Sequence, residues 1–283
     1  MLSEHERAVN LALVSGNELK VLVNRLGTSE APRGRVLTAY RQARRAMRQV
    51  DGLAGVVEVL TELRLAVETA VRQVMAGAVQ AGQAQARTEL AVYGLPNVAT
   101  GGYAAQAELD AWLATVDAQL SAARGLYVAT GDVTQVAGDD ERAGVLSPAP
   151  VVRDGARWLG LALGGAWAAA VTTALVRARR DDFMRQAVAA IDERTTDCCL
   201  RVHGQVVGMS DEFHLTGTPR FAAYMRNPPF HHYCRTSTCL VRREDADDRL
   251  SVEMREAARN EIDARDATGV RVEIHPADAR SGR

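Results

Sequence analysis

The sequence predicts a mainly α protein with a small α+β module towards its C-terminal end. An N-terminal helical bundle that includes one long helix completes the expected fold. Three observations carry this. Alanine, valine and leucine dominate an apolar share of 47%, while aromatics are only 5%. Apolar residues recur at helical spacing through the first 125 positions. Beyond residue 184 that spacing gives way to short apolar runs separated by turn residues.

Residues 3–26 form the first helix. Ser3 and Glu6 fit a capping box, Leu19, Leu22, Val23 and Leu26 keep i, i+3, i+4, i+7 spacing, and Gly27 stops it. Residues 33–50 form a second, with Val36, Tyr40, Ala43, Met47 and Val50 as its stripe. It carries six arginines, Arg33, Arg35, Arg41, Arg44, Arg45 and Arg48, and no acid. Such a strip is either a solvated face beside acidic neighbours or a surface for DNA or an acidic partner. Residues 53–92 hold the helical period from Leu53 through Val56, Leu60, Leu63, Val67, Val71 and Val74 to Val79. One helix of roughly 60 Å is expected there, ended by Gly94-Leu95-Pro96. A shorter helix over 105–124 closes a helical domain, 1–125.

Gly, Asp, Ser and Pro recur through 126–157, which reads as a linker or surface loop. Residues 158–176 carry no charge between Arg157 and Arg177. That length would cross a bilayer, but the alanines and glycines make it weakly hydrophobic. A close-packed buried helix is expected, and a membrane partner is not. Within a module over 158–242, residues 187–191, 205–207 and 238–241 read as strands and 216–219 as a turn. A charged helix over 245–265, with Leu250, Met254, Ala258 and Ile262 inside, and an unstructured tail make up 243–283.

The formal charge of −1 demands no nucleic acid. The opening MLSEHERAVNLAL lacks the basic start and apolar run of an export signal, so the cysteines are expected to stay reduced. All four cysteines and four of the six histidines lie in the 42 residues from Cys198 to Cys239. Two close pairs stand out: Cys199-x3-His203 and His231-x2-Cys234. Two pairs joined by a loop suit a tetrahedral Cys2His2 zinc, with Cys198, His214, His232 and Cys239 as substitutes or supporting groups. Ordinary core cysteines with polar histidines are the alternative. The loop between the pairs has few apolar anchors, which gives a staple something to do. Four protein ligands would leave no position for water, so no catalytic residue is assigned. Nor does the chain contain G-x-S-x-G, H-E-x-x-H, a Walker loop or a dinucleotide-binding fingerprint.

Asp192-Glu193-Arg194-Thr195, then Cys199, then His203-Gly204-Gln205-Val206-Val207, and finally Pro229-Phe230-His231-His232-Tyr233-Cys234-Arg235-Thr236 resemble the C-terminal module of phage Mu F-type minor head proteins, the head-morphogenesis family. The resemblance spans about residues 165–242. Thr196 stands where the family often has a cysteine, His232 where proline is usual, and His203 where many members have aspartate. The resemblance implies a non-enzymatic structural protein of the virion, a minor capsid component of a tailed phage or phage-like particle. It would be assembled in the host cytoplasm and would sit in the head near the portal. Portal protein and major capsid or scaffold protein are the implied partners, with packaged DNA as a further contact. The rival from another class is a metal-dependent nuclease or polymorphic-toxin-type protein acting on DNA, for which His231-His232 is the hint.

Overall fold

The computed structural model describes residues 2–26, 34–95, 103–138, 145–215, 224–231, 234–270 and 272. The protein is 69% helical, with eight α-helices and two small sheets among the described residues. This is the mainly α class with a small α+β part that the sequence predicts. The expected turn at 216–219 and the C-terminal tail lie outside the described residues, as does Arg33.

Helix α1 (Glu4–Leu26) begins on the expected capping box. Glu6 N–H donates to Ser3 Oγ at 3.0 Å and Ser3 N–H to Glu6 Oε2 at 2.6 Å. Helices α2 (Arg35–Met47), α3 (Gly52–Val92, 41 residues) and α4 (Gln106–Thr130) follow. Gly94, at φ +63°, turns the chain out of α3 so that Leu95 N–H reaches Leu90 O at 2.8 Å.

The chain divides into two compact units, each built from separate segments rather than from consecutive domains. The second unit comprises 21–77 and 105–159. Much of the stretch expected to be a linker is ordered here. Helix α4 runs on through Gly125, which lies on an open face and costs only helix propensity, about 1 kcal/mol. The Asp132 carboxylate caps α5 (Val133–Ala137), accepting Thr134 N–H at 2.8 Å. Pro150 sits in the first turn of α6 (Ala149–Ala178), where its missing N–H is no loss. The polar residues that read as breakers are thus caps and starts. Gln119 then holds the carbonyls of Val145 and Ser147 at 2.8 and 2.6 Å, and Trp112 Nε1–H holds Val151 O at 2.9 Å.

The first unit comprises 1–20, 78–104 and 160–283. Helix α6 is long and apolar enough to cross a membrane by length and composition. Its stripe Ala162, Leu163, Ala166, Trp167, Ala170, Val171, Ala174 and Leu175 is buried. The close contact expected of small residues occurs at Gly82 of α3, where a Cβ would lie 2.1 Å from Leu163 O. Against this stripe packs an antiparallel sheet, order β2-β1-β5, made of β1 (Phe183–Val188), β2 (Val206–Gly208) and β5 (Ser237–Arg242). Phe183, Val188, Leu240, Leu90 and Tyr93 share its core with Trp167 and Val171. A two-stranded sheet pairs β3 (Phe213–His214) with β4 (Tyr224–Met225).

The first strand lies earlier than the expected 187–191. Arg185 and Gln186 look unsuited to a buried strand, yet both are buried with partners. Arg185 lies over the Phe213 ring at 5.3 Å and donates to Arg226 O at 2.8 Å, to Asp211 O and to Asn227. Gln186 Nε2 donates to Ser251 Oγ at 2.9 Å, and its oxygen faces His5 Nε2 at 2.7 Å. The other nitrogen of His5 meets Asp248 Oδ2 at 2.8 Å. One histidine therefore ties α1 to β1 and to the cap of α8 (Arg249–Thr268). Along the outer edge of β5, Gln85 and Glu89 of α3, and Tyr93 just past its end, bond the main chain of Thr238 and Leu240.

Candidate metal centre

After β1 the chain turns through Asp192, whose carboxylate organises the segment. Its Oδ1 accepts Arg194 N–H at 3.0 Å, and Arg235 grips both oxygens at 2.5 and 2.7 Å. The Arg235 guanidinium holds the Asp192 carboxyl well below the usual carboxylate range. From α8, Arg265 donates to Thr195 O at 2.6 Å, to Asp192 O at 2.9 Å and to Asp197 Oδ1 at 2.9 Å. This clamp sets the start of α7 (Asp197–Val202), a six-residue helix with Cys198 and Cys199 in its first turn.

Cys199 is the centre of a buried cluster. Its Sγ lies 3.0 Å from His231 Nε2, 3.6 Å from Cys234 Sγ and 3.9 Å from Cys198 Sγ. Thr196 Oγ1 adds a polar neighbour, 3.0 Å from His231 Nε2 and 3.3 Å from Cys198 Sγ. Cys198, Cys199, His231 and Cys234 are each at most 5% exposed, walled by Ala187, Ala189, Phe213, Met225 and Phe230. The ligand atoms of Cys198, Cys199 and His231 all lie within 4.8 Å of one another, a group that can hold a metal ion.

Burial pushes the Cys234 thiol up to about 12, reinforced by Cys199. Burial also opposes charge on His231, but the Cys199 and Cys234 sulfurs beside its ring raise it well above the ordinary imidazole range. A divalent ion would invert this balance by stabilising thiolates.

Three of the four ligands expected from spacing, Cys199, His231 and Cys234, are brought together. His203 is not. It follows α7 in an extended conformation, φ −58° and ψ 127°, and its ring turns back to the residue after β1, where Nδ1 accepts Ala189 N–H at 2.9 Å. Burial lowers its pKa to about 4. Cys198 takes its place in the cluster. The signal was the vicinal Cys198-Cys199 pair, which spacing rules for ligand pairs pass over. Of the other histidines and cysteines considered, His214 stacks on Tyr224 at 4.7 Å, Cys239 lies inside the sheet against Gln186, and His232 is outside the described residues.

The arginine strip is divided. Arg44 is buried and donates to Leu146 O at 2.8 Å, and Arg48 donates to Gly138 O at 2.7 Å. Arg35, Arg41, Arg45 and Arg48 are exposed.

No family model, curated protein or solved structure matches the chain.

Proposed function

We propose that the chain is a non-enzymatic minor capsid protein of a tailed phage or phage-like particle, joining portal and capsid or scaffold during head assembly. The observation that supports this most is the convergence of the Mu F-like segments. Asp192 pairs with Arg235, 43 residues away. Thr196 meets His231, and Cys199 meets Cys234. Each contact links the Asp192–Cys199 segment to the His231–Arg235 segment. The motif residues spend their polar groups on one another, as a rigid structural knob requires.

The cluster is read as one structural zinc held by Cys198, Cys199, His231 and Cys234. Three thiolates and an imidazole are a soft set suited to zinc. Zn–S bonds of ~2.3 Å in a tetrahedron place sulfurs ~3.8 Å apart; the two separations from Cys199, 3.6 and 3.9 Å, fall on either side of that value, and Cys234, outside the tight group of Cys198, Cys199 and His231, would close onto the ion as the fourth ligand. His231 need only withdraw by roughly half an ångström from its hydrogen-bonded position. The closed shell leaves no site for substrate, which supports a structural rather than a catalytic role.

Co-expression with the portal protein of the same genome tests the assignment. The two should copurify, and mass spectrometry of intact particles should find the chain. A chain absent from particles and indifferent to portal would reject it.

A further inference from the structure

His203, set aside by the metal cluster, lines a separate cleft of about 350 Å³ together with Arg201, Gln205, Asp247 and Arg255. That volume is at the small end of ligand pockets. The histidine is 7% exposed, and its Nδ1 is committed to the Ala189 amide. The neutral ring therefore carries its proton on Nε2. That N–H meets no protein acceptor among the described residues, and it belongs to a ring that forms the cleft wall.

Two guanidinium groups share the cleft. Arg201, at the end of α7, is exposed and makes no ion pair among the described residues. Arg255 of α8 donates to Gly204 O at 3.2 Å and to Asp247 Oδ1 at 3.0 Å. The Asp247 side chain is 90% exposed, so a stronger anion can displace this contact. Gly204 builds the arrangement. Its φ is +76°, and a Cβ there would lie 2.9 Å from Arg255 Cγ, so only glycine lets α8 bring Arg255 beside His203.

We propose that this cleft binds the phosphate group of a small phosphomonoester, with Arg201 and Arg255 supplying charge and His203 Nε2–H the buried directional donor. Planar guanidinium groups match phosphate oxygens in pairs. A continuous nucleic-acid strand would need an extended basic track. Asp247 in the cleft wall interrupts the positive charge, so a single phosphate is favoured.

Phosphorus NMR titration of the full chain with inorganic phosphate and with adenosine monophosphate tests this. Both should bind with Kd of ~1 mM or tighter. Arg201→Gln, at an exposed position, should weaken binding about tenfold, and His203→Phe at least as much. Arg249→Gln, on a side chain 90% exposed elsewhere on α8, should leave it unchanged. No binding, or equal loss with Arg249→Gln, overturns the site. Competition by single-stranded DNA lacking a terminal phosphate, with a steep salt dependence, would overturn it in favour of a nucleic-acid contact.

Discussion

Glu89, in the last turn of the long helix α3, accepts the backbone N–H of Leu240 on the edge strand β5. Its other oxygen accepts Trp167 Nε1–H at 2.6 Å. One turn before, Gln85 Nε2 donates to Thr238 O at 2.9 Å; one turn after, Tyr93 OH donates to Leu240 O at 2.8 Å. Residues at i, i+4 and i+8 lie on one helix face, so the helix replaces the strand that the edge of the sheet lacks.

The carboxyl of Glu89 is fully buried, and burial raises its pKa from 4.5 to about 8 against the pull of its two N–H donors. The folded protein therefore keeps a proton that the unfolded chain releases between those values. Stability should fall as pH rises from about 4.5 to about 8, with a limiting slope of ~1.4 kcal/mol per pH unit. Glu89→Gln removes the titrating proton and should remove that slope, while its NH2 leaves one of the two N–H donors without an acceptor and lowers stability by a pH-independent amount. Glu89→Ala orphans both donors and should be destabilised at every pH. Urea unfolding across the range checks this, and wild-type and Glu89→Gln curves of equal slope would reject it.

Arg265 supplies a second test. Its side chain is 6% exposed, and it pairs with Asp197 at 2.9 Å while holding two backbone carbonyls. Arg265→Met should cost about 3 kcal/mol, because it leaves a half-buried carboxylate and those carbonyls unpaired. Arg249→Met, which breaks an exposed pair with Glu253, should change stability by less than about 0.5 kcal/mol. Denaturant midpoints that shift equally in the two variants would contradict the clamp.

Much of the fold was legible because burial imposes a period on helices. The stripe of α2 and the capping box of α1 are local facts, and local rules find them. What stayed hidden depends on long-range pairing. Arg185 and Gln186 look wrong for a buried strand until His5, Ser251 and the carbonyls of Asp211 and Arg226 supply partners. Asp132 and Pro150 read as loop chemistry, although both start helices. In the cluster, x3 and x2 spacing found three members of the group. The fourth failed because α7 ends at Val202, so position 203 has left the helix, while adjacent Cys198 and Cys199 sulfurs still lie 3.9 Å apart.

The arginine strip yields a prediction for DNA. Among the exposed arginines Arg35, Arg41, Arg45 and Arg48, the last donates to Gly138 O, and the other three are predicted to contact phosphate. Three contacts imply a log–log salt slope of about −3. Replacing the three by Gln should flatten it, as fluorescence anisotropy on duplex DNA would report. A slope unchanged in the triple variant would remove DNA from the partners of α2.

X-ray absorption at the zinc edge addresses the metal centre most directly. Protein purified without chelator should hold about one zinc, with three sulfurs at ~2.3 Å and one nitrogen at ~2.0–2.1 Å. His203→Gln should leave that shell intact, and Cys198→Ser should remove one sulfur from it. A shell of two sulfurs and two nitrogens, a change with His203→Gln, or no zinc at all would contradict a centre built from Cys198, Cys199, His231 and Cys234.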